Sequence, residues 1–362
     1  MGLNKYRLGD LITQRREKNP GLDVPSKGVT SDGFIDPKQP DADTHLYNVF
    51  YLEDFVFNPA RMEINSIAFN SQYDTAICSS LYEIFYVRRK DLLDPRYLNL
   101  FVKRSEFARQ CSFIGWGSAR EYCRVADISD IEIELPPIEM QRKYVAVYEA
   151  MLANQRAYEQ GLDDLKLTCD ALLDRCKKSK TWEPARKYLR EVDVRNASGK
   201  CDVAYGINIK KEFMLSKASS DDLLKYKLVK PGQIACNLLH VGRDASYPIA
   251  VNETDSCIAV SPAYSVFMAS SADMIVFLMA WFSRAEIGRN GWFICDDSIR
   301  GSMAIDRFLS CEIPIPDGKT IKAIAELRTA YWARARINVR LKAQLKDICP
   351  ILIRGSIEEA SK

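Results

Sequence analysis

The chain is written twice, and that repeat constrains the fold more than any other feature. Ser118-Ala119-Arg120 is answered by Ser298-Ile299-Arg300, 180 positions on. Ile131-Glu132-Ile133-Glu134-Leu135-Pro136 is answered by Cys311-Glu312-Ile313-Pro314-Ile315-Pro316 at the same separation. Phe55-Val56-Phe57-Asn58 matches Ile234-Ala235-Cys236-Asn237 at 179, and Leu81-Tyr82-Glu83-Ile84-Phe85 matches Ala263-Tyr264-Ser265-Val266-Phe267 at 182. Solenoid units repeat every 20–50 residues or so, so this period describes two whole domains in one polypeptide. The 362-residue length agrees with that. Two similar heads on one chain suit a target that also comes in two parts.

Composition narrows the function by exclusion. Apolar residues make up 47% and charged residues 27%, an ordinary globular balance. The formal charge of +3 gives no basic coat, although local stripes matter more than the total for nucleic acid. Eleven cysteines are scattered with no Cys-x-x-Cys pair, and no secretory leader follows Met1. The expectation is free thiols in a reducing cytoplasm. No apolar run approaches the roughly 18–20 residues that span a bilayer, so no membrane role is expected. Two histidines, His45 and His240, leave little for a metal site or a histidine relay. Neither a Gly-x-x-x-x-Gly-Lys-Ser/Thr cradle nor a Gly-x-Gly-x-x-Gly turn occurs. Asn58-Pro59 runs into Ala60, without the second proline and aromatic of an amino-methyltransferase pocket, and no carboxylate–lysine nuclease set is evident. The chain reads as a binder with no catalytic residues and no metal.

Each half follows one plan in mixed α/β territory. The openings, Tyr6-Arg7-Leu8-Gly9-Asp10-Leu11 and Tyr188-Leu189-Arg190-Glu191-Val192, read as a helix or turn. Turn-rich stretches cover 21–43 and 210–222. Runs at 49–57, 84–87, 234–236, 258–260 and 265–268 read as strands. One helix is expected over 97–110, with Tyr97, Phe101 and Phe107 on a face, and a more apolar one over 272–289. A strand then closes on proline, which suits the first turn of a helix but not its body.

Long helical segments follow, 139 to about 178 and 320 to about 352. Tyr144, Met151, Tyr158, Leu165 and Leu172 recur every seven residues, with Tyr148, Leu162, Cys169 and Cys176 in the same register and Gln155 as a polar interruption. In the second, Ile324, Tyr331, Leu345 and Leu352 repeat at seven, joined by Leu327, Leu341 and Ile348 and interrupted by Arg334 and Asn338. Sustained heptads signal a coiled coil, most simply the two helices packed antiparallel. The expected domains are therefore 1–137, a spacer helix 138–180, a second domain 181–317, and a second spacer with tail 318–362.

This order of parts resembles the specificity (S) subunit of type I restriction–modification systems. The resemblance is carried by Leu8-Gly9-Asp10-Leu11, Asn58, Ser118-Ala119-Arg120, Ile133-Glu134-Leu135-Pro136 and the helix entry Glu139-Met140-Gln141, and it covers about 6–354. The second helix entry, Pro316-Asp317-Gly318-Lys319-Thr320, lacks the Glu-Gln pair. The resemblance implies two target-recognition domains in a pseudo-twofold arrangement, separated by two long helices packed as an antiparallel coiled coil. Each domain would read one half of a bipartite, asymmetric double-stranded DNA target. The helices would set the gap and dock two methyltransferase subunits, which restriction subunits join. S-adenosylmethionine, ATP and Mg would belong to those partners, with no cofactor on this chain. Two heads on one face of a duplex need a fixed separation, since DNA turns once per about 10–10.5 bp. Each bidentate base contact discriminates by about 1–3 kcal/mol.

DNA-contact candidates fall in two places per half. The loop from Gly115 to Arg124 offers Trp116, Ser118, Arg120 and Arg124, and its counterpart Ser298 and Arg300. The turns after the Phe55–Phe57 and Ile234–Cys236 runs offer Asn58, Arg61 and Asn65, and Asn237, His240 and Arg243. Lys210-Lys211, Arg88-Arg89-Lys90 and Lys177-Lys178 read first as solvated surface. The alternatives are a recognition subunit serving one fused methylating and cleaving polypeptide, a scaffold binding proteins through its coiled coil, and an enzyme with an unrecognised site.

Overall fold

The computed structural model describes residues 3–37, 44–115, 122–216, 223–241, 246–295 and 302–362. It divides into two compact units, 1–157 with 338–362, and 158–337.

The first unit holds three sheets. β1 (Asn4–Arg7) pairs antiparallel with β10 (Glu132–Leu135), so the opening residues close a ribbon with the proline-ended strand. A four-stranded sheet runs β2 (Ile12–Arg15), β9 (Glu83–Val87), β6 (Phe55–Phe57), β7 (Ile67–Phe69). A second runs β4 (Gly33–Ile35), β3 (Ser26–Thr30), β8 (Thr75–Cys78), β5 (Asn48–Tyr51), with β3 and β8 parallel.

The second unit repeats this strand for strand. β11 (Trp182–Pro184) pairs with β20 (Glu312–Pro314). β12 (Leu189–Glu191), β19 (Ser265–Ala269), β16 (Ile234–Cys236) and β17 (Ile249–Val251) form one sheet. β14 (Phe213–Leu215), β13 (Ala204–Ile207), β18 (Ile258–Val260) and β15 (Lys227–Val229) form the other, again with one parallel pair, β13 and β18. Adding ten to each strand number of the first unit gives the second.

Burial explains why β6 and β16 read as unbroken apolar runs. Successive side chains on a strand point to opposite faces. Phe55, Phe57 and Phe85 face a core built with the helices, whereas Val56 and Ile84 face the second sheet. Ile234, Cys236 and Phe267 divide from Ala235 and Val266 in the same way. Both faces are dry, so no polar alternation survives. The closing ribbon differs: Ile131, Ile133 and Leu135 are buried while Glu132 is exposed, the alternation expected of a one-faced strand.

Buried asparagines staple the turns at matching places. Asn70 donates to the Tyr51 and Tyr73 carbonyls, both at 2.7 Å, and Asn252 to those of Val229 and Ser256 at 2.8 and 2.9 Å. Asn19 and Asn196 do likewise for the segments leading to β5 and β15. The turn residue held in the left-handed region is Glu53 in one unit, φ 67°, and Gly232 in the other, φ 75°.

Several expectations are corrected. The first opening is the end of β1 running into a short helix, Leu8–Leu11, and the second is the strand β12, because backbone pairing, of β1 to β10 and of β12 to β19, outweighs local propensity. The stretch 49–57 is two strands parted by the Glu53 turn, and 21–43 and 210–222 contain the hairpin strands β3, β4 and β14. The helix over 97–110 is two, Pro95–Val102 and Ser105–Gly115, and that over 272–289 is Ala272–Phe282 and Ala285–Phe293. At each break an arginine turns its guanidinium back over an aromatic of the preceding helix, Arg104 over Phe101 and Arg284 over Trp281.

The long helices span Ile138–Cys176 and Gly318–Ala360. The second runs past Pro350, where helices usually stop, because Leu352, Ile353 and Ser356 are buried in the first unit's core. Ser356 shares a 2.7 Å hydrogen bond with the Tyr97 hydroxyl. Within the first unit the two helices run antiparallel: Lys143 and Tyr144 reach Glu359, and Gln155 Nε2 donates to Asn338 Oδ1 at 3.0 Å. The two polar interruptions thus satisfy each other in the seam. Tyr144, Met151, Leu341 and Ile348 are half-buried there, and Tyr148 and Leu345 buried. Within the second unit the direction is the same, with Arg334 stacked 5.6 Å over Tyr158. Ile324 is buried there, and Leu162, Leu165, Leu172, Leu327 and Tyr331 are half-buried. Both helices enter the core of each unit, through Val145 and Cys349 in the first and Leu173 and Ile324 in the second, so seam and domain core are continuous.

Candidate nucleic-acid interface

After β6 the chain enters a 3-10 turn, Pro59–Ile64, because Asn58 caps it: its Oδ1 accepts from the Ala60 N–H at 3.1 Å. Asn65 closes the turn at φ 58°, with its Oδ1 buried and without a hydrogen-bond partner. Arg61 projects from the turn exposed, with no ion pair among the described residues. The helix Ser105–Gly115 packs against this turn. The chain that leaves at Gly115 returns beside it, since a Cβ there would lie 3.3 Å from the Tyr122 carbonyl oxygen. Cys123 N–H then donates to the Pro59 carbonyl at 3.0 Å, and exposed Arg124 follows. A hydrogen bond to Cys123, together with burial, pushes the Cys111 thiol up and ties the helix to that return point. Glu83 accepts from the Val125 N–H at 2.7 Å, which fixes the short helix Val125–Ile128.

The second unit builds the same scaffold. Asn237 Oδ1 accepts from Leu239 N–H at 3.2 Å and caps the turn Leu238–His240. Met303 N–H donates to the Leu238 carbonyl at 2.9 Å, as Cys123 does to Pro59. Asn237 is 8% exposed, so its amide is largely committed to the cap. Trp116, Ser118, Arg120, Arg243, Ser298 and Arg300 lie outside the described residues, as does the side chain of His240. The structure therefore gathers Asn58, Arg61, Asn65 and Arg124 around one turn.

A repeated pair of exposed phenylalanines also belongs to this region. Phe113 is 81% exposed and Phe293 83%, each in the last turn of the helix that packs on the capped turn's unit. The signal was present: Phe113-Ile114 and Phe293-Ile294 are the same dipeptide 180 positions apart. Gln141 closes the helix entry Glu139-Met140-Gln141. It is fully buried, accepts from Asp94 N–H at 2.9 Å and donates to the Leu92 and Pro136 carbonyls at 2.8 and 2.9 Å. It locks helix entry to domain. In the second unit the place 180 on is Ile321, packed against the core, and Asp317 caps the helix through Thr320 instead.

The basic clusters resolve locally. Arg88 donates to the Asp10 carbonyl, Arg89 pairs with Asp91, Lys90 with Glu53, and Lys177 with Asp174 and Glu286. Lys211 departs from the solvated-turn expectation. Its Nζ donates to Ser246 Oγ at 3.0 Å and to the Tyr247 and Phe282 carbonyls at 2.8 and 3.1 Å. Burial pulls its pKa down to about 8. All eleven cysteines are free thiols. Among the described residues no helix is long and apolar enough to cross a membrane, and no group of three His, Cys, Asp or Glu is placed to hold a metal ion.

No protein-family model matches the chain, and no curated protein sequence does. Solved structures do match. The S subunit of a type I restriction–modification system from M. genitalium aligns over 99% of this chain and 96% of its own, at 10% identity and a TM-score of 0.58. A chain from a structure of the complex assembly and conformational transition of the type I R-M system aligns over 98% of both, at 15% identity and 0.50. The HsdS subunit from Thermoanaerobacter tengcongensis covers 98% of this chain at 15% identity and 0.42. Doubled strand order, antiparallel long helices and near-complete alignment converge on one architecture: this chain has the two-domain, coiled-coil fold of type I restriction–modification S subunits.

Proposed function

We propose that this chain is the DNA sequence-specificity subunit of a type I restriction–modification complex, itself non-catalytic. Its recognition domains, 1–137 and 181–317, each read one half of an asymmetric bipartite target. Spacer helices, 138–180 and 318–362, set the gap and dock two methyltransferase subunits, which restriction subunits join in the cytoplasm. The observation that carries this reading is the strand-for-strand duplication on two shared helices, within a fold matched end to end by S subunits.

Roles follow from placement. Arg61 and Arg124, exposed and with no side-chain ion pair among the described residues, supply base-edge or phosphate contacts, with Trp116, Ser118 and Arg120 as further candidates. Asn58 and Asn237 act by holding their turns. His240, Arg243, Ser298 and Arg300 are the second domain's candidates. Phe113 and Phe293 offer apolar contact to a groove or an unstacked base.

Co-expression with a candidate methyltransferase, followed by mapping of methylated adenines in host DNA, tests the reading. Two unlike half-sites at a constant gap are expected, and exchanging 184–316 for a relative's segment changes one half-site only. A chain that assembles with its partner yet directs no sequence-selective methylation would be a protein-binding scaffold.

A further inference from the structure

The second unit contains a cleft of about 600 Å³ that the DNA-reading proposal does not use. Its walls come from both long helices, the turn after β13 and the junction of helices Ala272–Phe282 and Ala285–Phe293. Six cations line it against three carboxylates. Two of those carboxylates are already committed: Asp174 and Glu286 each pair with both Lys177 and Arg284, at 2.5–2.9 Å. Asp170 is the remaining acid. Lys166, Lys210 and Arg289 make no ion pair among the described residues. Lys211 is held by three neutral oxygens and meets no carboxylate among the described residues. The Arg328 guanidinium stands over the rings of Tyr331 and Trp332, at 5.1 and 5.3 Å, with a buried Nε that has no hydrogen-bond partner.

The first unit shows what a self-satisfied version looks like. At the same hairpin turn it carries Asp32, paired at 2.8 Å with Lys346, and Lys346 stands 180 positions after Lys166. Arg109, at the place of Arg289, pairs with Glu106 at 3.4 Å. The place of Arg328 is taken by Tyr148, whose hydroxyl accepts from Lys103. One repeat closes its charges internally. The other sets lysines opposite a lysine and leaves an arginine donor unused, an arrangement that an anion would complete.

We propose that this cleft is a phosphate site, with Arg328, Arg289 and Lys210 as its principal donors. Guanidinium forks match the oxygens of a phosphate, and the volume falls within the few hundred Å³ typical of small-ligand pockets. The phosphate belongs either to a free small molecule or to a nucleic-acid backbone, and the test separates the two.

Calorimetric titration of the full chain at low ionic strength with pyrophosphate, and with ATP, is compared between the native protein and the pair Lys210→Gln, Arg289→Gln. Both side chains are exposed, so the fold is expected to survive their loss. Saturable binding that weakens at least tenfold in this variant, and not in Arg109→Gln, supports a small-ligand site. Should pyrophosphate instead bind weakly but displace duplex DNA, with the variant lowering the salt dependence of duplex binding, the source is a backbone phosphate. Absence of both effects, or equal effects from Arg109→Gln, overturns the proposal.

Discussion

The two units share a backbone plan and diverge in how side chains complete it. Strand order, the single parallel pair, the asparagine-capped turn and the return bond from Cys123 or Met303 occur in both. The helix entry does not: buried Gln141 with three hydrogen bonds in one, apolar Ile321 in the other. Neither does the packing behind the loop, where a Cβ on Gly291 would meet the Tyr247 ring at 2.7 Å while the matching place holds Cys111. The repeat thus transmits backbone hydrogen bonding, while volume and charge are balanced separately in each unit.

The sharpest way to break the comparison is Gln141→Leu. It strands the Asp94 N–H and the Pro136 carbonyl in a dry core, each worth about 1–3 kcal/mol, and frees the part-buried Leu92 carbonyl, so chemical denaturation should show at least about 2–6 kcal/mol lost. The corresponding Ile321→Gln should gain nothing, because no such backbone groups wait for it. If Gln141→Leu proves neutral, water or rearrangement satisfies that entry.

Alkaline pH probes a likeness. Burial pushes the thiols of Cys78 and Cys236 up to about 12 from 9.0. Folded protein holds these protons where unfolded chain releases them, so their contribution is complete below about pH 9 and is lost as pH rises toward 12. Melting profiles from pH 8 to 11 should fall less steeply in Cys78→Ala and in Cys236→Ala, each showing its own share. A slope unchanged in both would assign the loss to other groups.

Smaller effects come from the seam and the caps. Gln155→Leu takes the donor from Asn338 Oδ1 at a cost of about 1–3 kcal/mol, whereas Gln155→Leu with Asn338→Leu should recover most of it, since a buried polar pair specifies register more than it stabilises. A double-mutant cycle by denaturation measures the coupling. Asn58→Ala and Asn237→Ala should each cost about 1 kcal/mol, and equal costs would show the two caps to be equivalent. A much larger loss of DNA binding than of stability in Asn58→Ala would instead give that amide a contact of its own.

Much of the plan was legible because it rests on period and on short-range chemistry. The 180-residue repeat, the alternation through Ile131, Ile133 and Leu135, and the heptads from Tyr144 to Leu172 are written in residue spacing. Asn58 and Asn237 stood out at matching places, although as ligand contacts; their role as caps became visible only once the N–H groups of Ala60 and Leu239 were in reach. Lys211 looked like a solvated turn because nothing local announces that Phe282, 71 residues away, will present its carbonyl.

By itself, then, the sequence determined that there are two like domains, which faces of their strands are dry, and that two long helices carry a shared seam. Those properties depend on side-chain periodicity, which the chain carries whatever its surroundings. Tertiary structure decided that a helix runs through Pro350, that Gln155 finds Asn338, and that one repeat neutralises its hairpin turn while the other leaves it cationic. Each of these turns on a partner tens to hundreds of residues distant, whose approach is set by packing rather than by any local preference.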